Sequence, residues 1–227
     1  MSGPLLSLIV PVLDEARALP GLLDHLDSLA GDWEVILADG GSQDETVALA
    51  APRTRVIAAP RGRAAQMNAA AAHATGRGLV FLHADSRLPP GAHAAIAHAL
   101  EDPATVGGNF ALRFEGEDRF ARVLGAWYRA QRRLGVYYGD STLWVRREVF
   151  DALGGFRPLE IMEDYDFVRR LERHGATACL PGPALTSARR WRALGIPRTV
   201  ATWVLIRWAW LAGVPAERLA RLYRAVR

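Results

Sequence analysis

The chain of 227 residues contains no lysine; all 28 of its basic residues are arginine. That absence excludes a Schiff-base lysine and any phosphate loop that depends on one. Arginine suits two-pronged binding of phosphate, although a GC-rich coding sequence accounts for the same bias. The single cysteine, Cys179, rules out an internal disulfide and fits a reducing compartment. It stands in an apolar run and reads as a small buried hydrophobe rather than a nucleophile. No uncharged apolar run reaches the roughly 18 residues that suggest a membrane span. The opening MSGPLLSLIVPV has neither a basic start nor a small-residue cleavage site, so it is not read as a signal peptide. Its first strand-to-helix turn, VPVLDEA, is not G-x-G-x-x-G, which argues against a dinucleotide oxidoreductase. It is not a glycine-rich phosphate loop either, which with the missing lysine argues against a nucleotidyltransferase. The net charge of +4 comes with no aromatic-basic motif, so nucleic acid is not an expected partner.

What is present is a globular composition, 50% hydrophobic and 23% charged. Continuous apolar strands are expected at Leu6–Val12, Trp33–Ala38, Arg55–Ala59 and Leu79–His83. Helical spacing alternates with them at Asp14–Leu29, after Ser42 as N-cap, at Arg63–Ala74 and at Ala92–Leu100. This order predicts an α/β domain around a parallel sheet with helices on both faces. Ligands of such sheets bind outside the C-terminal strand ends, where Asp14, Asp39, Arg61 and Asp85 should converge. Beyond residue 104 the pattern changes. TVGGNFALRF (Thr105–Phe114) alternates like a half-exposed strand, residues 117–134 read as an amphipathic helix, STLWVRR as a strand and Glu163–Arg173 as a helix. One domain is expected over residues 1–227: a nucleotide-type half at 1–104, an acceptor-type half at 105–192, and C-terminal helices at 193–227.

Four stretches carry candidate chemistry. In ADGGSQDET, Asp39 at a strand end could accept a hydrogen bond from a base or ribose, with glycines leaving room for the ligand. The plainer reading is a tight turn with Asp44 and Glu45 at a helix N-terminus. In FLHADS, alternation puts His83 and Asp85 on one side, a donor set for a divalent cation shared with a diphosphate. Asp85 would equally cap the turn into SRLPPG. In MEDYDFVRR, Asp164 facing a crevice could serve as a general base. Asp166 and the arginines after it read instead as a solvated, ion-paired helix face. In PRGRAAQMN, Arg61 and Arg63 at a strand-to-helix turn could hold phosphate or simply face solvent.

Taken in order, IVPVLDEA, ADGGSQDET, PRGRAAQMN, FLHADS and LGGF followed by MEDYDFVRR resemble the inverting family-2 glycosyltransferases with the GT-A fold, over about residues 5–192. More narrowly, GRAAQMN, FLHADSRLP, GGNFALRF and GDSTLWVRR resemble the short bacterial arsenosugar-biosynthesis and selenodomain-associated subgroup. The resemblance implies a GT-A fold: one Rossmann-like, mostly parallel sheet flanked by helices. It implies that Pro11 and Glu15 flank the nucleotide base, Asp39 binds it, Arg61 or Arg63 lies near the nucleotide, and Asn68 supports the pocket. Asp85 matches the second aspartate of the family's Asp-x-Asp element, touching metal, ribose and diphosphate. Asp164 matches the catalytic base. The metal would be Mg or Mn, with His83 as the second candidate ligand; Glu163, Asp140, Arg190 and Trp191 are candidate acceptor or diphosphate contacts. Three positions depart from the family pattern. Gly40 follows Asp39 where many relatives carry a second acid. His83 replaces the first aspartate of Asp-x-Asp. Ser187 replaces the glutamine of Gln-x-x-Arg-Trp in SARRW, which argues against a processive polymerase.

TVATWVLIRWAWLAGV (Thr199–Val214) carries three tryptophans around Arg207. Such a helix packs on the core, forms a dimer contact, or lies on a membrane surface, in that order of expectation. The expected function is metal-dependent, inverting transfer from a nucleotide sugar, a UDP-sugar first, to a small-molecule or lipid-linked acceptor. The expected place is the cytoplasm, with the 197–227 helices offering a homodimer contact or a peripheral contact at the inner membrane face. The alternative is a degenerate relative that binds a nucleotide sugar or a partner without turnover.

Overall fold

The computed structural model describes residues 5–116, 119–187 and 195–226. Four parallel strands form first: β1 (Leu6–Val12), β2 (Trp33–Asp39), β3 (Arg55–Ala58) and β4 (Gly78–Phe81). Between them lie α1 (Leu19–Ser28), α2 (Thr46–Ala50) and α3 (Arg63–His73), as the alternation predicts. The short β5 (Ser86–Arg87) and α4 (Ala92–Ala99) follow. The second half supplies β6 (Thr105–Phe114), α5 (Arg119–Arg132), a tight turn at Gly139–Ser141, β7 (Leu143–Arg146), α6 (Arg147–Ala152), α7 (Glu163–His174) and β8 (Ala176–Thr186). Two helices, α8 (Ile196–Leu211) and α9 (Ala216–Val226), complete the described chain.

The strands make one sheet in the order β3-β2-β1-β4-β7-β6-β8-β5. β1 pairs in parallel with both β2 and β4, and β6 pairs in parallel with β8. β7 runs antiparallel between β4 and β6, and β5 runs antiparallel to β8. β5 follows β4 after four residues, yet it lies four strands away in the sheet. A flat sheet would separate them by about 19 Å, more than a short segment that also turns can reach. The sheet therefore curls, and the curl places the His83–Asp85 turn over its C-terminal edge.

The central strands β1 and β4 are buried on both faces, which is why they read as continuous apolar runs. Leu6, Leu8, Val10 and Val12 point to one side, against Leu19, Leu22 and Leu26 of α1 and Ile96 of α4. Ile9, Leu79 and Phe81 point to the other, against Met67 of α3 and Phe167 of α7. There Phe81, Phe150, Phe156 and Phe167 form a ring cluster with centroids 4.6 to 5.7 Å apart.

Several expectations need correction. The first helix begins at Leu19 rather than Asp14, because Asp14 takes φ 52° in a loop that hydrogen-bonds to the next one. Ser42 does not cap a helix; its hydroxyl donates to Asp39, and α2 starts only at Thr46. The strand Leu79–His83 ends at Phe81, which leaves His83 in a turn. β6 is mostly buried rather than half-exposed, since helices cover one face and β7 and β8 flank it. Cys179 is exposed on β8. Asp166 is 5% exposed and held by Arg157 and Arg170 at 3.2 and 2.8 Å, so it belongs to a buried ion-pair cluster rather than a solvated face.

Candidate active site

The nucleotide-side loops are built by side chains that satisfy backbone groups. Asp39, at the end of β2, accepts from the Gly41 N–H at 3.0 Å and from the Ser42 N–H at 3.2 Å. Asp14 accepts from the Gln43 N–H at 2.7 Å, while the Asp14, Glu15 and Ala16 N–H groups donate to Ser42, Thr46 and Asp44. The β1–α1 and β2–α2 loops are thus laced together. Gln66 of α3 bonds the Val12 and Ala38 carbonyls at 2.7 and 2.8 Å. A Cβ on residue 40 would lie 2.9 Å from the Gln66 amide carbon, so Gly40 is what lets Gln66 reach both strand ends. An acid there would displace that brace.

The C-terminal edge of the sheet opens into a cavity of about 520 Å³. Its floor carries Glu15, Arg63, His83, Asp85, Asp140 and Asp164; its walls carry Phe114, Trp127, Tyr128, Tyr138, Trp203 and Arg207. Asp164 sits in the first turn of α7, where the helix dipole favours an anion. Its Oδ2 accepts from the Gly139 N–H at 2.8 Å and its Oδ1 from the Tyr165 N–H at 2.7 Å. A Cβ on residue 139 would fall 2.9 Å from His83 Nε2 and 3.2 Å from Asp164 Oδ2, so only glycine lets these two groups close on this turn. Glu163 is 2% exposed and pairs with Arg63 Nε at 2.6 Å, tying α7 to α3. Burial pushes the Glu163 carboxyl up, and Arg63 opposes that shift.

Asp140 is pushed up to about 7, first by burial and then by the negative charges of Asp164 and Asp85. The Tyr128 hydroxyl bonds this carboxyl, yet its Oδ1 meets no donor among the described residues. Met162 and Thr142, next to the Glu163–Asp164 pair and the 139–141 turn, adopt φ of 68° and 55°. Left-handed backbone at non-glycine residues, a β-branched threonine among them, is strain that gathers at functional sites.

The pattern "Glycosyl transferase family 2" matches residues 7–161. The chain belongs to this family. A PGL/p-HBAD biosynthesis glycosyltransferase of Mycobacterium bovis is 40% identical over 97 residues, covering 39% of this chain and 38% of that protein. The chain therefore matches well under half the length of that relative. A mannosyltransferase from Pyrobaculum calidifontis, solved with GDP-Man and Mn2+, superposes with a TM-score of 0.64 at 22% identity, over 90% of this chain and 62% of the other. Glucosyl-3-phosphoglycerate synthase from Mycobacterium tuberculosis, solved with Mn2+, UDP and phosphoglyceric acid, does so with a TM-score of 0.64 at 21% identity, over 94% and 80%. At these identities the likeness establishes the GT-A fold.

Within this glycosyltransferase domain the expected site residues divide. Glu15, Arg63, His83, Asp85, Asp140 and Asp164 line this cavity, with Glu163 paired to Arg63 at its edge. Pro11 is buried in β1, Asp39 is folded into its own loop and Arg61 is exposed; none of the three lines that cavity. The predicted convergence thus splits: Asp14 and Asp39 meet at the laced loops, and Asp85 reaches the acidic floor. Asn68 holds the Phe156 N–H and carbonyl at 2.9 and 2.8 Å, bracing the LGGF loop rather than a ligand. Arg190 and Trp191 lie outside the described residues. Among the described residues no three His, Cys, Asp or Glu side chains cluster as a metal cage, and no helix is long and apolar enough to cross a membrane. The aromatic wall from α5 and α8 was missed as a site. Its signal was helical spacing: Trp127 with Gln131, and Trp203 with Arg207, each four apart.

Proposed function

We propose that this domain transfers a sugar from a nucleotide sugar to an acceptor hydroxyl, with inversion at the anomeric carbon. One observation carries the reading: Asp85, Asp140 and Asp164 share one cavity at the C-terminal sheet edge, with Asp164 oriented by two backbone N–H groups. Asp164 takes the acceptor proton as the acceptor oxygen bonds to the anomeric carbon and the nucleoside diphosphate leaves. Inversion needs no covalent enzyme intermediate, so a single base suffices.

The acidic floor fits a divalent cation. The charges that raise Asp140 are an excess of anions that a cation would offset. Asp85 and His83 would hold it, with the diphosphate and water completing its shell, since such cations are often bound by one or two carboxylates plus substrate phosphates. Bound there, Mg or Mn would neutralise charge on the leaving diphosphate. The laced loops of Asp14 and Asp39, together with Glu15, would receive the nucleoside. The motif resemblance supports the narrower arsenosugar-type subgroup.

Calorimetric titration with UDP and GDP, each with and without MnCl2, tests this reading. Binding that needs the metal is expected, with UDP preferred. Slow hydrolysis of the matching nucleotide sugar is expected too, and its loss in Asp164→Asn with nucleotide binding retained. If neither nucleotide binds with metal present, the reading fails; if both bind and no turnover of any nucleotide sugar occurs, the domain is a binding module.

A further inference from the structure

The cavity has two chemically different ends. The donor reading uses the acidic floor and leaves the aromatic wall without a task. At that wall Arg207 of α8 faces neutral partners: the Gln131 Oε1, the Tyr138 hydroxyl and the Trp208 ring, 5.8 Å away. Among the described residues no ion pair includes it. Arg207 Nε is buried and meets no acceptor, and the same is true of the adjacent Gln131 Nε2. Buried donors left unmet cost about 1–3 kcal/mol each. Gln131 backs the guanidinium, whereas Arg207 itself lines the cavity, and a guanidinium there matches the oxygens of a phosphate or carboxylate.

The diphosphate of the donor is assigned to the cation at Asp85 and His83, so a cationic group on the opposite wall serves a second molecule. The surroundings describe its body. Trp127 and Trp203 offer flat apolar faces inside the cavity. Outside it, Val123 lies one turn from Trp127, and Trp208 lies one turn from Val204; these outer residues are 67% and 60% exposed. An apolar track thus leads from Arg207 to the surface.

We propose that the acceptor carries a phosphate or carboxylate that docks on Arg207, with an apolar body laid along the wall of α5 and α8. This rests on the nucleotide-sugar reading above. Its two sources are a small soluble phosphate ester and a lipid phosphate.

The test is calorimetry on the full chain saturated with UDP and MnCl2. The probes are phenyl phosphate, decyl phosphate below its micelle concentration, and neutral benzyl alcohol. Both phosphates are expected to bind, and benzyl alcohol to bind about tenfold more weakly or worse. Arg207→Gln is expected to weaken the phosphates by about tenfold or more while leaving UDP affinity unchanged. Much tighter binding of decyl phosphate than phenyl phosphate assigns a lipid source; equal binding assigns a soluble one. The proposal is overturned if neither phosphate binds at millimolar concentration, if the neutral probe binds as well as the charged ones, or if Arg207→Gln weakens UDP instead. The comparison of charged and neutral probes needs no variant, so it stands even if Arg207→Gln misfolds. Failure of UDP itself to bind would count against the donor reading, not against this one.

Discussion

The two halves of the sheet handle buried polar groups in opposite ways. Up to residue 104, carboxylates, hydroxyls and Gln66 are spent on backbone N–H and C=O groups, and the loops at the strand ends are laced shut. Beyond residue 104 lie all of the buried side-chain polar atoms that have no partner among the described residues, including Asp140 Oδ1, Gln131 Nε2 and Arg207 Nε. Buried polar groups are ordinarily satisfied, so unmet ones need a reason. The contrast separates loops whose backbone groups are already satisfied from a second half in which two of the unmet residues, Asp140 and Arg207, face the cavity.

The sharpest way to break this contrast is Asp164→Asn. Turnover should fall by about 10²–10⁴-fold, the usual worth of a positioned base, with UDP affinity retained in calorimetry. Next comes Asp140→Asn. The folded-state carboxyl is raised to about 7 from 3.8, so its protonated form favours the fold and a penalty grows as pH rises between those values. The variant should therefore be more stable than the parent at pH 8 by roughly 1–3 kcal/mol in metal-free urea melts, with little difference near pH 4. An equal effect at both pH values would remove the electrostatic account. Gly139→Ala pushes a methyl against His83 and Asp164, and kcat should fall by roughly 10- to 100-fold. On the scaffold side, Gln66→Leu leaves the Val12 and Ala38 carbonyls unmet. It should cost about 1–3 kcal/mol in denaturant melts while kcat holds at temperatures where the variant is folded.

The same division explains what could be read from the chain. Strands such as Leu6–Val12 are legible because burial on both faces writes a continuous apolar run. Asp85 and Asp164 were legible because a strand end and a helix start fix where they sit. Arg207 and Tyr128 were not, because the spacing within an amphipathic α5 and a largely apolar α8 does not say what either helix packs against. What makes them cavity residues is the docking of α5 and α8 across the curled sheet, through Leu112, Phe114, Leu124 and Trp203. Asp166 misled for a related reason: its spacing to Arg170 suits a surface pair, and only the LGGF loop folding over it makes the pair buried. Gly40 looked like a lost acid; it is space reserved for Gln66.

Ser86 pairs with Thr186 and Arg87 with Leu185, across a hundred positions of sequence. Asp85 is therefore held in its turn by a strand made much later on the ribosome. The parallel strands β1 to β4 can begin to assemble once the nascent chain has passed Phe81. The acidic floor cannot close until β8 has emerged, so during synthesis the binding loops precede the reactive centre.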